Sequence, residues 1–151
     1  MDEQKKNPLG STGETVRTNV RRLREAQRLG YAEMARRLKS IGRTIPELGL
    51  RRIEEGNRRV DVDDLMALAV VLDVAPIALL MPEITDEEWD DTPIGATGFQ
   101  GGITAQRLWE CLRGSVAPPG SSSPIIWLGR SIPWPAISVI SHGPIPDEDE
   151  A

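Results

Sequence analysis

"TIPELGLRRIEEG", residues 44–56, reads as one short helix with an awkward entry. Pro46 suits a first helical turn, because the N–H it lacks would have had no partner inside the helix. Leu50 and Ile53, three residues apart, fall on one side and can be buried together. Gly56 and Asn57 then stop the helix, so it is expected over residues 47–55. Two positions work against it. Pro46 stands where a serine or threonine cap would add about 1 kcal/mol. Gly49 weakens a helix interior by up to ~1 kcal/mol relative to alanine.

Upstream, "STGE" offers a capping box, in which Ser11 accepts from the Glu14 N–H and Glu14 reaches back. Val16, Val20 and Leu23 follow at helical spacing, so a first helix is expected over residues 14–27, broken by Gly30. "YAEMARRLKS" places Met34, Ala35 and Leu38 on one face of a second helix, and Gly42 and Arg43 make the turn into the third. Downstream, Asp61 caps "DVDDLMALAVVL", whose acids in the first turn suit the helix dipole. Val62, Leu65, Leu68, Ala69 and Leu72 form its expected core stripe. Pro76 opens a short fifth helix, "PIALLM", and Pro82 ends it. Five short helices within about 70 residues make an all-α domain over residues 13–82, preceded by a flexible arm, residues 1–12.

The rest of the chain is divided differently. Residues 83–98, "EITDEEWDDTPIGATG", read as an acidic linker. Residues 99–146 form a small C-terminal segment with one helix, "AQRLWECLRG", capped by Thr104 and ended by Gly114. "IIWLGR" and "PAISVIS" look like two short strands that can pair as a hairpin. Residues 147–151 are an acidic tail. The fold class is therefore mostly α, with a small C-terminal appendage.

Charge is segregated along the 151 residues. Residues 14–60 carry 13 Arg/Lys against 6 Asp/Glu, and residues 61–92 carry 10 acidic residues and no basic one, within a net charge of −5. A basic block beside an acidic block points to one surface for polyanions and a remainder that avoids them. The single cysteine, Cys111, excludes an internal disulfide and a cysteine metal cluster. The polar start "MDEQKKNPLGSTGE" has no secretory pattern, and the most apolar window, residues 65–81, is too short to span a bilayer. The expectation is a soluble chain of a reducing compartment, cytoplasmic in the simplest reading.

With the helices placed, residues 15–81 resemble the helix-turn-helix domain of the phage-repressor and XRE-type regulator family. "VRRLREAQRLG", "AEMARRL", "LRRIEEGNRRV" and "LMALAVVLDVAPIALL" carry the resemblance in order and spacing. The extra residues of "KSIGRTI" are similar to an actinobacterial branch of that family, as is the tail "TGFQGGITAQRLWECLRG", from which no function is carried over. The resemblance implies a five-helix domain whose third helix enters the major groove. By position, Glu47, Leu48 and Arg52 are then the base-contacting residues. Glu47 can accept from cytosine N4, Leu48 can pack on a thymine methyl, and Arg52 can fork onto guanine O6 and N7. Tyr31, Arg17, Arg43, Asn57, Arg58 and Arg59 are the implied phosphate contacts. Arg24 and Glu54 match an ion pair joining the first helix to the third.

The function implied is a sequence-specific double-stranded DNA-binding transcriptional regulator, a repressor acting as a homodimer, with the Trp-bearing C-terminal segment as a candidate dimer surface. The competing expectation is a protein-interaction module, such as an antitoxin whose C-terminal segment binds a partner protein. Trp109, Trp127 and Trp134 are read as core or dimer contact rather than a ligand cage. His142 has no second His or Cys for a metal. No GxSxG, P-loop or HExxH occurs, so neither an enzyme nor a metal or other cofactor is expected.

Overall fold

The computed structural model describes residues 8–132, which are mostly helical with one small antiparallel sheet. The order of elements is α1 (Ser11–Ala26), α2 (Tyr31–Ser40), α3 (Glu47–Glu54), α4 (Val62–Val71), α5 (Pro76–Leu80), a 3-10 turn (Asp86–Glu88), β1 (Pro93–Ala96), β2 (Phe99–Thr104), α6 (Ala105–Leu112) and α7 (Pro124–Ser131). The chain divides into two compact units, Met1–Leu108 and Trp109–Ala151. Among the described residues, no helix is long and apolar enough to cross a membrane.

In the first unit α1 to α5 enclose one core. Val20, Met34, Leu38, Leu50, Ile53, Leu68, Leu72 and Leu79 are completely buried in it. Each comes from the apolar side of its helix at three- or four-residue spacing. Leu23, Ala35 and Leu65 pack against this cluster from its edge. Asn19 is also buried, between Val16 and Val20. Its side-chain amide donates to the carbonyls of Leu79 (3.1 Å) and Met81 (2.6 Å), which α5 cannot satisfy within so short a helix.

Several expected details are corrected. Ser11 and Glu14 form no capping box: α1 begins at Ser11, its N-cap is Gly10, and Glu14 pairs with Arg17 instead. The hairpin turn takes over the capping, since Thr97 Oγ1 accepts from the Thr12 N–H (3.3 Å) and Thr12 Oγ1 accepts from the Thr97 N–H (2.9 Å). The left-handed residue that ends α1 is Arg28 (φ 54°), while Gly30 serves as the N-cap of α2. Val62 lies outside the core, 77% exposed. Asp61 does cap α4, accepting from the Asp64 N–H at 2.7 Å.

The β-structure is not where the sequence suggested. Residues 93–98, read as part of the linker, hold β1 and the turn, and β1 pairs with β2 in the register Ile94↔Ile103 and Ala96↔Phe99. Gly98 (φ 93°) supplies the turn's left-handed residue. "IIWLGR" lies in α7, not in a strand. Ser123 Oγ accepts from the Ile126 N–H (3.4 Å) and Pro124 occupies the first turn, so a helix start overrides the β-preference of Ile125 and Ile126. "PAISVIS", the acidic tail 147–151, Trp134, His142 and arm residues 1–7 lie outside the described residues.

Candidate nucleic-acid interface

The eight residues of α3 divide cleanly. Gly49, Leu50, Ile53 and Glu54 are buried, and Glu47, Leu48, Arg51 and Arg52 are exposed, Leu48 to 57%. So short a helix has little stability of its own, and two clusters of charged groups fix it from behind.

The first cluster centres on the Glu54 carboxylate, 4% exposed. Arg24, from α1, donates from Nε to Oε1 (2.6 Å) and from Nη2 to Oε2 (2.9 Å). This bidentate geometry is the strong form of an arginine–carboxylate pair. Tyr31 donates its hydroxyl proton to Glu54 Oε2 (2.7 Å), and the guanidinium groups of Arg24 (4.2 Å) and Arg51 (4.7 Å) both lie over its ring. Arg17 adds a bond from Nη1 to the Glu54 carbonyl (3.1 Å). Burial, and then the hydrogen bond to Glu54, push the Tyr31 phenol up from 10.0, while the Glu54 hydrogen bond holds the Arg24 proton more tightly than usual.

The second cluster centres on Asp64, 1% exposed, in the first turn of α4. It accepts from Arg43 Nε (2.7 Å) on one oxygen and from Arg58 Nη2 (2.9 Å) on the other. Arg43 also donates to both Asp61 oxygens, at 2.9 and 2.7 Å. The Asp64 hydrogen bond raises the Arg43 pKa. The Asp64 backbone N–H and then the Arg43 charge lower that of Asp61. On its way to Asp64, the Arg58 side chain crosses α3 at Gly49, where an added Cβ would lie 2.7 Å from Arg58 Nη1. The glycine that weakens α3 is therefore the gap through which α4 holds it.

The base-contacting candidates Glu47, Leu48 and Arg52 all point outward, and Glu47 and Arg52 have no ion-pair partner among the described residues. The phosphate candidates fare unevenly. Tyr31 spends its hydroxyl proton on Glu54. Arg17, Arg43 and Arg58 are engaged with carboxylates and only about a third exposed, at 33%, 32% and 34%. Asn57 donates to Glu55 Oε2 (3.2 Å), and Arg59 donates to the Pro8 carbonyl. Arg24 and Glu54 are joined as described.

Asp64 and Arg51 were missed in the sequence. Asp64 stands four residues before Leu68, on the buried side of α4, and a carboxylate there requires a cation. The spacing to Leu68 carries that signal, masked by the equally good fit of a first-turn acid to the helix dipole. No family model, no curated protein and no solved structure matches the chain.

Proposed function

We propose that this chain is a sequence-specific double-stranded DNA-binding transcriptional regulator, a helix-turn-helix repressor whose α3 enters the major groove. One observation carries the reading: a helix too short to stand alone is tied from within to α1 and α4, while Glu47, Leu48 and Arg52 face outward, with no ion-pair partner for Glu47 or Arg52 among the described residues. Base readout needs that combination, because side chains must meet base edges from a backbone already fixed in place. Arg59 and Asn57 follow α3 directly and supply phosphate contacts. Arg17, Arg43 and Arg58 add positive potential while serving as struts. One such module covers a small site, so two copies on half-sites about one helical turn apart supply useful specificity.

Selection of bound fragments from a random-sequence DNA pool tests this. An enriched motif is expected. On it, Arg52→Ala should relax preference at one position, and Arg59→Ala should weaken all sequences alike and lower the salt slope by about 1. No enrichment, or identical behaviour of the two variants, would reject the reading. The antitoxin-like reading is favoured by α7, which has no buried residue and exposes Ile125 (84%), Ile126 (55%) and Leu128 (39%). Stable co-purification of a neighbouring gene's product, with no retarded DNA at low salt, would favour it.

A further inference from the structure

α4 is apolar nearly all round, and such a helix normally belongs inside a core. Its inner side, Ala67, Leu68, Ala69 and Val71, is covered by the first unit's own core. Its outer side is not: Val62 is 77%, Met66 51% and Val70 62% exposed, at strict four-residue spacing over three positions. Beside them Ile41, at the end of α2, is 46% exposed. Ile41, Gly42, Met66, Ala67 and Val70, with Arg43 and Asp63 at its polar edge, line a shallow groove of about 410 Å³.

We infer that this stripe is the seat of a second copy of the chain, packed α4 against α4 in antiparallel fashion about a two-fold axis through Met66. Three features select that occupant. The stripe is palindromic, Val–Met–Val. A two-fold axis at its centre therefore sets Val62 of each copy against Val70 of the other and brings the two Met66 side chains together, the self-complementarity an isologous contact requires.

Area comes second. The four side chains present on the order of 400 Å² of apolar surface per copy, as large as the largest patch of a typical monomer. Two such stripes face to face remove at most about 800 Å² of apolar surface, which with the polar rim around them reaches the low end of specific interfaces and fits a dimer of micromolar strength. Third is shape. Methionine is unbranched and adaptable, and the groove beside Ile41 gives each partner's side chain a hollow to fill. Asp63, 84% exposed, borders the stripe and stays in water at the rim, where charged residues are tolerated.

The surface differs from the Trp-bearing segment expected from the sequence, and it does not depend on α3 reading DNA. The full chain, free of DNA, is expected to sediment as a dimer at micromolar concentration. Met66→Glu should raise the dimer dissociation constant at least a hundredfold and leave the far-ultraviolet circular dichroism unchanged, because the site is half exposed in one copy. In a Cys111→Ser background, Met66→Cys should cross-link two copies on mild oxidation, as a residue on the axis must, and Asp63→Cys should not. A wild-type chain that sediments only as a monomer overturns the inference. So does a dimer indifferent to Met66→Glu, or equal cross-linking from both cysteines. A dimer of this kind that selects no DNA sequence would refute the proposed function alone, and a monomer that selects one would refute this surface alone.

Discussion

At the scale of single residues, Gly49 shows how a local rule can be broken for a tertiary reason. Intrinsic propensity says that Gly49→Ala should stabilise α3, by up to ~1 kcal/mol. The structure reverses the sign. The new methyl would lie 2.7 Å from Arg58 Nη1 and 3.1 Å from Ile45 Cγ2, in a buried setting where neither neighbour moves without loss. Arg58 is the softer of the two, but the same guanidinium group donates from Nη2 to the buried Asp64 carboxylate at 2.9 Å. Swinging it away gives up a charge-assisted hydrogen bond. We expect Gly49→Ala to destabilise the fold by about 1 kcal/mol in urea unfolding. Because both positions act on one contact, Arg58→Ala should cost about 1 kcal/mol less in the Gly49→Ala background than in the wild type. Simple additivity of the two changes would show that the Arg58 strut does not fill the glycine gap.

At the scale of elements, what could be read in advance follows from which interactions are local. Helices α1 to α5 were legible because each carries its apolar spacing within its own residues, although α1 ends at Arg28 and not at the expected Gly30. The Val16–Val20–Leu23 face and the Asp61 cap are such local signals. The capping of α1 was not legible: Thr97 supplies it from 85 residues away in sequence, and only the folded hairpin brings it there. Within α7, two signals conflicted, β-branched Ile125 and Ile126 against Ser123-Pro124, and the helix start prevailed. The buried side of α3, Leu50 and Ile53, followed from helical spacing, while Glu47, Leu48 and Arg52 were singled out through the family resemblance; the burial of Asp64 is legible in its spacing to Leu68, but its partners Arg43 and Arg58 are not. Local pairing also gives α2 a pH dependence. Hydrogen bonds from Arg36 and then Arg37 hold the Glu33 carboxyl at about 2, below its ordinary 4.5. Its folded-state value is depressed, so its contribution is present above pH 4.5 and is lost as the pH falls from 4.5 towards 2. Asp61 and Glu88 are lowered too and act in the same direction. Thermal unfolding should therefore show a smaller loss of Tm between pH 4.5 and pH 2 in Glu33→Gln than in the wild type. High salt should narrow the difference, since the pair is exposed. Parallel curves for the two proteins at low salt would mean that the Glu33 pairs do not persist in solution.

At the scale of the whole molecule, the segregation of charge along the chain bears on specificity more than on fold. On the function proposed above, the basic block, residues 14–60, draws in duplex of any sequence, and attraction of that kind alone would make a protein bind everywhere. The ten acidic residues of 61–92 oppose it, but not all in the same way. Asp61 and Asp64 are spent on Arg43 and Arg58, and Glu88 on the capping box with Thr85. Asp63 and Glu83 lie against Arg43 and Arg22, and the exposed Asp73, Asp86, Glu87, Asp90 and Asp91 are left to act at a distance, the last four grouped within residues 86–91. Their field reaches about 10 Å at 0.1 M salt and about three times as far at 0.01 M. A long-range repulsion of this kind is blind to base sequence. Replacing all four by their amides should therefore strengthen binding to a selected site and to unrelated duplex by the same factor, and the ratio between the two should stay fixed. The gain should be several-fold in dilute salt and should nearly vanish at 0.3 M, as fluorescence anisotropy titrations across a salt series would show. A changed ratio would mean that at least one of these carboxylates meets the bases or reshapes α3. A gain that survives high salt would mean that the four act through contact and not through their field.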